Sequence, residues 1–189
     1  MKTTITALKA FILLTIICGV IYPLTITGIA QITFPSKANG SMIYQNNQII
    51  GSELIGQQFS KPEFFWGRPS SINNNPNSSG ASNLGPTGKA FKAQFNARVD
   101  TIRKYHGKIE VNTIPKDLLF ASGSGVDPEI SPEAAFFQVE RIAKARKYTT
   151  DQMNKLKDIV KSSIEAPDFQ VFGEERVNVL LLNLRLKGL

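Results

Sequence analysis

The sequence predicts a protein of mixed class, α+β or α/β, in which a single N-terminal transmembrane helix precedes one globular domain. The domain should contain a small sheet and about three helices. Three observations predict this: a long apolar run near the N-terminus, three stretches with helical periodicity, and two with the character of strands. The chain has 189 residues, of which 42% are hydrophobic, enough for one ordinary domain and an appendage.

The apolar run carries no charged residue from Ala10 to Ser36. About 25 such residues, at a rise of about 1.5 Å each, can cross a hydrocarbon core of roughly 30 Å. A secretory signal peptide cleaved after Ala30 is the alternative, but its apolar region typically has only about 7 to 15 residues. We therefore predict a transmembrane helix over residues 10–34.

The charges that flank this run predict its orientation. Lys2 and Lys9 precede it, whereas Lys37 is the basic residue close to its far end. The positive-inside rule then places residues 1–9 in the cytoplasm and residues 35–189 outside it. The chain would then cross the membrane once.

A stripe of small and polar residues lies along the predicted helix, because Thr15, Gly19 and Pro23 recur every four positions. Such a stripe allows another transmembrane helix to approach closely, and Pro23 predicts a kink. A lone anchor with scattered threonines would explain the same residues. The sequence leaves both interpretations open.

The outer domain begins with two short apolar runs on either side of Gln45-Asn46-Asn47-Gln48, which predict a hairpin at residues 42–55. A long segment rich in Asn, Ser, Gly and Pro then extends to Gly88. Loops of this length in compact domains are either functional or disordered. The aromatic residues Phe64, Phe65 and Trp66 near its start favour a loop that docks onto the domain.

Three helices are predicted from apolar residues spaced three and four apart. They run from Lys89 to His106, from Pro132 to about Lys147, and from Thr149 until Pro167. Thr149 and Gln152 fit a capping box. The final apolar sequence RVNVLLLNLRL, residues 176–186, has the length and composition of a buried strand.

Each predicted helix has an apolar face that should be buried. Arg98 and Arg146 fall within these faces, so both need carboxylates or carbonyls as partners. The faces comprise Phe91, Phe95, Val99, Ile102 and Tyr105 in the first helix, Ala135, Phe136, Val139, Ile142 and Ala143 in the second, and Met153, Leu156, Ile159 or Val160, and Ile164 in the third.

Composition excludes several classes of function. The formal charge of +7 is spread over solvated helix faces without a recognisable binding motif, so no nucleic acid partner is expected. The only cysteine, Cys18, lies in the apolar run and can form neither an intramolecular disulfide nor a zinc cluster. The only histidine, His106, is expected to be a partly buried structural residue. No catalytic or metal-binding residue is predicted.

The stretch ASGSGVDPEISPEAA, residues 121–135, combines a helix start with a possible anion site. Ser131 suits the N-cap, Pro132 the first helical position and Glu133 the positive end of the helix dipole. No ligand is needed to explain these three residues.

The preceding turn of Ser122, Gly123, Ser124 and Gly125 could still direct backbone amides at an anion such as a phosphate. It lacks the Gly-Lys-Ser/Thr sequence with which a Walker loop reaches the outer phosphates and magnesium. Ser124 also has no base nearby in the sequence. Independent ATP hydrolysis or acyl transfer is therefore not expected.

Several motifs in order resemble the C subunit of the Kdp-type potassium-transporting ATPase. The resemblance covers nearly the whole chain and departs from the family pattern at Ile72, where tyrosine is common, and at Ala81, where glycine is expected. The motifs are GSELIGQQF, FFWGRPSS, SGASNLGPTG, DLLFASGSGVDPEISPEAAFFQVERIAKAR and FGEERVNVLLLNLRL.

The resemblance implies an accessory, non-catalytic subunit of an ATP-driven potassium uptake complex in the bacterial inner membrane. Its partners would be a channel-like potassium-binding subunit, a P-type ATPase subunit and a small membrane subunit. The family is described as a catalytic chaperone that raises the ATP affinity of the P-type subunit in a ternary complex. No cofactor would be tightly bound, and ATP would contact the Ser122–Gly125 turn and Gln138.

This implied nucleotide contact conflicts with the predicted topology, because ATP is cytoplasmic and residues 35–189 are predicted to lie outside. An outer domain could instead cap the potassium entrance or brace the channel-like subunit. A membrane-anchored extracytoplasmic enzyme or binding module that uses the Ser122–Gly125 turn is a further alternative. The sequence does not decide among these.

Overall fold

A computed structural model describes residues 2–186, a mixture of helices and two small sheets as the sequence predicts. The ends of the predicted segments 1–9 and 35–189, residues 1 and 187–189, lie outside the described residues. The chain divides after Ser52 into two compact units. The α-helices and strands are α1 (Lys2–Ile16), α2 (Tyr22–Thr33), α3 (Pro35–Ala38), β1 (Met42–Gln45), β2 (Gln48–Ser52), α4 (Lys89–His106), α5 (Lys116–Leu119), β3 (Glu129–Ile130), α6 (Pro132–Arg146), α7 (Thr150–Ser162), β4 (Val177–Asn178) and α8 (Val179–Arg185).

The first unit contains an apolar helical rod, Lys2–Thr33, of 32 residues, the one helix in the described residues that is long and apolar enough to cross a membrane. A π-helical turn, Ile17–Ile21, joins α1 to α2. Pro23 is the second residue after this turn. Proline has no N–H to donate to the preceding turn, and its ring crowds the carbonyl four residues back. Local rearrangement of the helix at this point is therefore explained by Pro23.

The predicted hairpin at residues 42–55 is confirmed as β1 and β2, which pair antiparallel. Asn46 and Asn47 form its turn with φ angles of 51° and 60°. This left-handed conformation is one that asparagine adopts more readily than most residues.

The second unit confirms the three predicted helices as α4, α6 and α7, although α7 ends at Ser162, before the predicted stop at Pro167. Gly107, at φ 81°, ends α4. Ser131 Oγ accepts a hydrogen bond from the Ala134 N–H at the start of α6. Thr149 and Gln152 form the expected capping box on α7. These local signals fixed the helix ends because each satisfies backbone groups that the first or last turn leaves unpaired.

One residue of the predicted core is wrong, since Phe136 is 41% exposed. The buried arc of α6 is centred between Ala135 and Ile142 and extends away from Phe136, toward Gln138 and Arg141. These two polar residues are 0% and 3% exposed. The arc is displaced because both side chains bind a neighbouring segment of the chain.

The predicted buried strand at residues 176–186 is also wrong. Only β4 is extended, and it pairs antiparallel with β3 before the chain enters α8. The Asn178 side chain accepts a hydrogen bond from the Leu181 N–H and so caps the new helix. Leucine favours helices, and the buried positions Val179, Leu182 and Leu186 have helical spacing.

Candidate functional site

The loop segment from Pro62 to Trp66 lies against α6 and α8 and organises the second unit. Phe65 is fully buried, which confirms the prediction that this aromatic loop docks. The segment is not part of a strand, so its backbone polar groups need partners other than a sheet. Side chains from the two helices provide them.

Gln138 pairs with the backbone of Trp66 as a peptide group would. Its Oε1 accepts from the Trp66 N–H at 2.7 Å, and its Nε2 donates to the Trp66 carbonyl at 3.0 Å. The same Nε2 donates to the Ala134 carbonyl, and Oε1 also accepts from Arg141 Nη2 at 2.6 Å. Every donor and acceptor of this buried amide is therefore engaged within the fold.

Asn183 on α8 repeats this arrangement one residue earlier. Its Oδ1 accepts from the Phe65 N–H at 2.8 Å, and its Nδ2 donates to the Phe65 carbonyl at 2.9 Å. Asn183 is 3% exposed. Two carboxamides thus replace the strand that would otherwise pair with Phe65 and Trp66.

Two arginines of α6 bind the remaining carbonyls of this segment. Arg141 donates to the carbonyls of Pro62 and Phe64, and Arg146 donates to that of Glu63 at 2.9 Å. The Arg141 guanidinium also lies 3.8 Å from the centre of the Trp66 ring, a cation–π contact.

The arginines predicted to need partners find carbonyls. Arg98 donates to the Leu119 carbonyl at 2.7 Å. Arg146 binds the Glu63 and Leu186 carbonyls. Within residues 2–186, neither forms an ion pair with a carboxylate.

Burial shapes the electrostatics around Arg141. Desolvation lowers the pKa of its guanidinium to about 10, so it stays charged at neutral pH. His106 stacks on Phe137 with 4.5 Å between ring centres. Desolvation, and then the nearby Arg141 charge, lowers the pKa of His106 to about 4. The imidazole is therefore neutral at physiological pH, in the half-buried position that was expected of a structural histidine.

The Ser-Gly turn is held by a different part of the chain. Ser122 Oγ accepts from the Gly125 N–H at 3.0 Å, and Ser124 Oγ accepts from the Val126 N–H. The Gly125 carbonyl accepts from Ser70 Oγ at 2.6 Å. The turn is therefore closed by its own hydroxyls and attached to the long loop.

Gly125 and Gly123 occupy contrasting places in this turn. Gly125 is buried, with a φ of 74°, and a Cβ built there would lie 2.6 Å from Ile72 and 2.8 Å from the Gly80 carbonyl. Gly123 is exposed and has open space around it. Only Gly125 requires glycine for reasons of packing and backbone conformation.

The residues predicted to contact nucleotide thus have separate partners. Gln138 binds the segment that ends at Trp66, whereas the Ser122–Gly125 turn binds the loop that begins at Pro69. The nucleotide contact stays a prediction. In residues 2–186, no group of three or more His, Cys, Asp or Glu side chains is placed to hold a metal ion.

A cleft of about 460 Å³ is lined by the start of the long loop and by α4. Phe59 and Trp66 supply aromatic walls, and Arg68 and Arg98 supply charge. Arg68 pairs with Asp127 at 3.0 Å, although its buried Nε has no hydrogen-bond partner among the described residues, and Arg98 binds a carbonyl. The other lining residues are apolar or neutral polar, and the Arg98 charge is not paired with a carboxylate within residues 2–186.

Sequence reasoning missed Arg141 and Asn183. A usable signal existed for both, because each is a polar residue at helical spacing within an otherwise apolar face. Arg141 is seven residues after Ala134, and Asn183 is four residues after Val179. A buried polar group of this kind requires a specific partner, but the sequence does not name the partner.

The KdpC family model, described as the c chain of the K+-transporting ATPase, matches residues 4–188. A potassium-transporting ATPase KdpC subunit from Polynucleobacter asymbioticus is 47% identical over 184 residues, which cover 96% of this chain and 95% of the relative. That of a Janthinobacterium species is 47% identical over 191 residues and 98% of both chains. That of Leptospira interrogans is 44% identical over 180 residues, 95% of this chain and 90% of the relative. The chain therefore belongs to the KdpC family of potassium-transporting ATPase subunits.

Proposed function

We propose that this chain is an accessory, non-catalytic subunit of an ATP-driven potassium uptake complex. It is anchored in the membrane by the helix Lys2–Thr33 and braces the assembly with its second unit. Family membership across residues 4–188 supports the assignment to the complex. The partners are the channel-like, P-type and small membrane subunits that the family resemblance implies.

One observation carries the bracing role. The polar side chains gathered around Trp66 are directed inward and bind the backbone of the docked segment. Gln138 and Asn183 are buried with their amides engaged. A domain stabilised in this way supplies a preformed surface for partners, and a preformed surface lowers the entropic cost of association.

The orientation follows from charge. Lys2 and Lys9 favour a cytoplasmic N-terminus, which puts the second unit outside the cytoplasm. A reporter that is active only outside the cytoplasm should work when fused after Leu189 and fail when fused before Met1. The opposite pattern would overturn this topology.

The catalytic-chaperone role, in which Gln138 and the Ser122–Gly125 turn raise the ATP affinity of the P-type subunit, remains a separate prediction. Gln138→Ala and Asn183→Ala distinguish it from a structural role, because each amide pairs with the N–H and carbonyl of one residue of the docked segment. A nucleotide role predicts that only Gln138→Ala raises the ATP concentration for half-maximal hydrolysis. A structural role predicts that both variants lower stability and assembly.

The assignment to the complex is tested by purifying the tagged P-type subunit from membranes in mild detergent. We expect the full chain to co-purify in a constant ratio to it. Deletion of the gene for this chain should then reduce ATP-driven potassium uptake. A chain that never co-purifies, in membranes where the other subunits assemble, would contradict the proposed function.

A further inference from the structure

Three large apolar side chains are exposed together on the segment between α7 and β4. Phe169 is 91% exposed, Val171 74% and Phe172 67%. They contrast with the second unit's buried core, which includes Phe65 at 0%. Scattered single apolar residues are ordinary on protein surfaces, but a contiguous group of large ones indicates an interaction site.

The segment that carries them has a defined conformation. The backbones of Asp168 and Phe172 exchange two hydrogen bonds of 2.9 Å, and those of Glu165 and Arg176 exchange two of 2.8 and 3.1 Å. The Arg176 guanidinium adds ion pairs to Asp168, Glu165 and Glu129 at 3.2 to 3.5 Å. The apolar side chains are therefore presented by a braced hairpin.

The turn of this hairpin is occupied by unusual residues for its conformation. Phe169 and Gln170 have φ angles of 54° and 61°, which asparagine and glycine adopt at much lower cost. A bulky residue in this region is strained, and such strain concentrates at functional sites. Local stability alone would favour a different residue from phenylalanine here.

The surroundings of these side chains are acidic, although the chain as a whole is basic at +7. Glu174 and Glu175 are exposed beside the hairpin, and the Asp168 side chain is 70% exposed. Anionic lipid surfaces attract basic segments and repel acidic ones. A protein surface with basic residues around an apolar depression is complementary in both respects, since interfaces combine an apolar centre with a charged rim.

We propose that the hairpin tip, residues 168–172, docks with Phe169, Val171 and Phe172 into an apolar depression bordered by Lys or Arg side chains on another subunit of the same complex. The proposal rests on the proposed function for the identity of the partner. Its chemical content, an apolar contact with an acidic rim, comes from the hairpin itself.

The test measures how much of the full chain co-purifies with the tagged P-type subunit. Phe169→Ser combined with Phe172→Ser should lower that fraction by about tenfold, the size expected when central aromatic contacts are lost. Gln170→Gly is the matched control, because it changes the same turn, keeps the apolar side chains and should leave co-purification unchanged. Unaltered Trp66 fluorescence and unfolding midpoint in the double variant would show that it still folds.

The rim is tested by Glu174→Lys combined with Glu175→Lys. A basic border on the partner predicts weaker co-purification for this variant, and weaker retention of the wild-type chain as ionic strength rises. If lipid is the occupant instead, this variant should bind bilayers more strongly than the wild-type chain, because anionic lipids attract basic residues. An environment-sensitive dye attached through Gln170→Cys, in a chain whose own cysteine is removed by Cys18→Ser, reports this binding. With a lipid occupant, the dye should be protected from water when the chain alone is placed in bilayers containing phosphatidylglycerol.

The outcomes distinguish failure of the docking surface from failure of the proposed function. Wild-type retention of the folded Phe169→Ser, Phe172→Ser variant, alongside a wild-type chain that co-purifies, overturns the docking surface and leaves the proposed function standing. Dye protection in bilayers without the other subunits also overturns it, in favour of lipid. A wild-type chain that fails to co-purify contradicts both proposals.

Discussion

Two aromatic loops of the second unit meet opposite fates. The segment Pro62–Trp66 is drawn into the domain, with Phe65 fully buried, whereas the hairpin around Phe169 projects its aromatic residue with 91% of its surface exposed. Composition does not distinguish the two loops, because both combine aromatic residues with proline and a charged residue. Apolar content alone therefore does not determine which loop becomes core.

The difference lies in where the backbone polar groups find partners. In the buried loop, the N–H and carbonyl groups of Phe65 and Trp66 bind Asn183 and Gln138. In the exposed hairpin, Asp168 and Phe172 bind each other. A loop can be buried only if its peptide groups are satisfied, so the amides on α6 and α8 decide which aromatic residues pack inside.

The largest effect on this comparison should come from Gln138→Ala or Asn183→Ala. Asn183→Ala leaves the buried N–H and carbonyl of Phe65 without partners, and Gln138→Ala leaves the part-buried ones of Trp66, so the free energy of unfolding should fall by about 2 to 4 kcal/mol. Denaturant unfolding of the full chain in detergent, followed by the fluorescence of its single tryptophan, Trp66, measures this directly at the docked loop.

An exposed amide on α7 provides the control. Asn154→Ala should change the free energy of unfolding by less than about 0.5 kcal/mol, because Asn154 faces solvent. A wild-type unfolding midpoint for both Gln138→Ala and Asn183→Ala would contradict the account of how the loop is held.

The next effect is expected at the Ser-Gly turn. Gly125→Ala places a Cβ against Ile72 and the Gly80 carbonyl and forces alanine into a left-handed backbone, at a cost of about 1 to 3 kcal/mol. Thermal unfolding of Gly125→Ala measures this loss. Gly123→Ala is the matched control, because a Cβ at Gly123 lies in open space. Equal losses at both positions would mean that packing against the long loop is not what Gly125 provides.

A smaller loss is expected from Ser131→Ala, which removes the hydrogen bond from the Ser131 hydroxyl to the first turn of α6. The free energy of unfolding should fall by about 0.5 to 2 kcal/mol. Ser131→Thr keeps a hydroxyl that can cap and should recover most of the loss in the same urea titration. A threonine variant as unstable as the alanine variant would argue against the cap.

The smallest effect should be a gain, and it sharpens the contrast with the buried loop. Phe169→Gly relieves the left-handed strain while giving up little burial, so stability should rise by about 0.5 to 1 kcal/mol. Phe172→Gly, whose φ angle is not positive, should show no such gain. A destabilised Phe169→Gly variant in thermal unfolding would mean that Phe169 supports the fold of the isolated chain.

The sequence by itself determined those features whose causes are local. The apolar helix, the Asn46-Asn47 turn, the Ser131 and Thr149 caps and the bounds of α4 could all be predicted, because propensity, capping and turn conformation act within a few residues. The motifs also carried the family assignment. The structure did not have to supply any of this.

Only the tertiary structure decided what depends on distant partners. Residues 176–186 have a composition that suits a strand or a helix, and they became α8 once Asn178 capped a helix and Asn183 paired with Phe65. Phe136 lost its predicted place in the core because Gln138 and Arg141 shifted the buried arc of α6. A buried polar side chain is stable only beside its partner. Gln138 and Trp66 are 72 residues apart in the chain, and Asn183 and Phe65 are 118 apart. No local sequence pattern covers such separations.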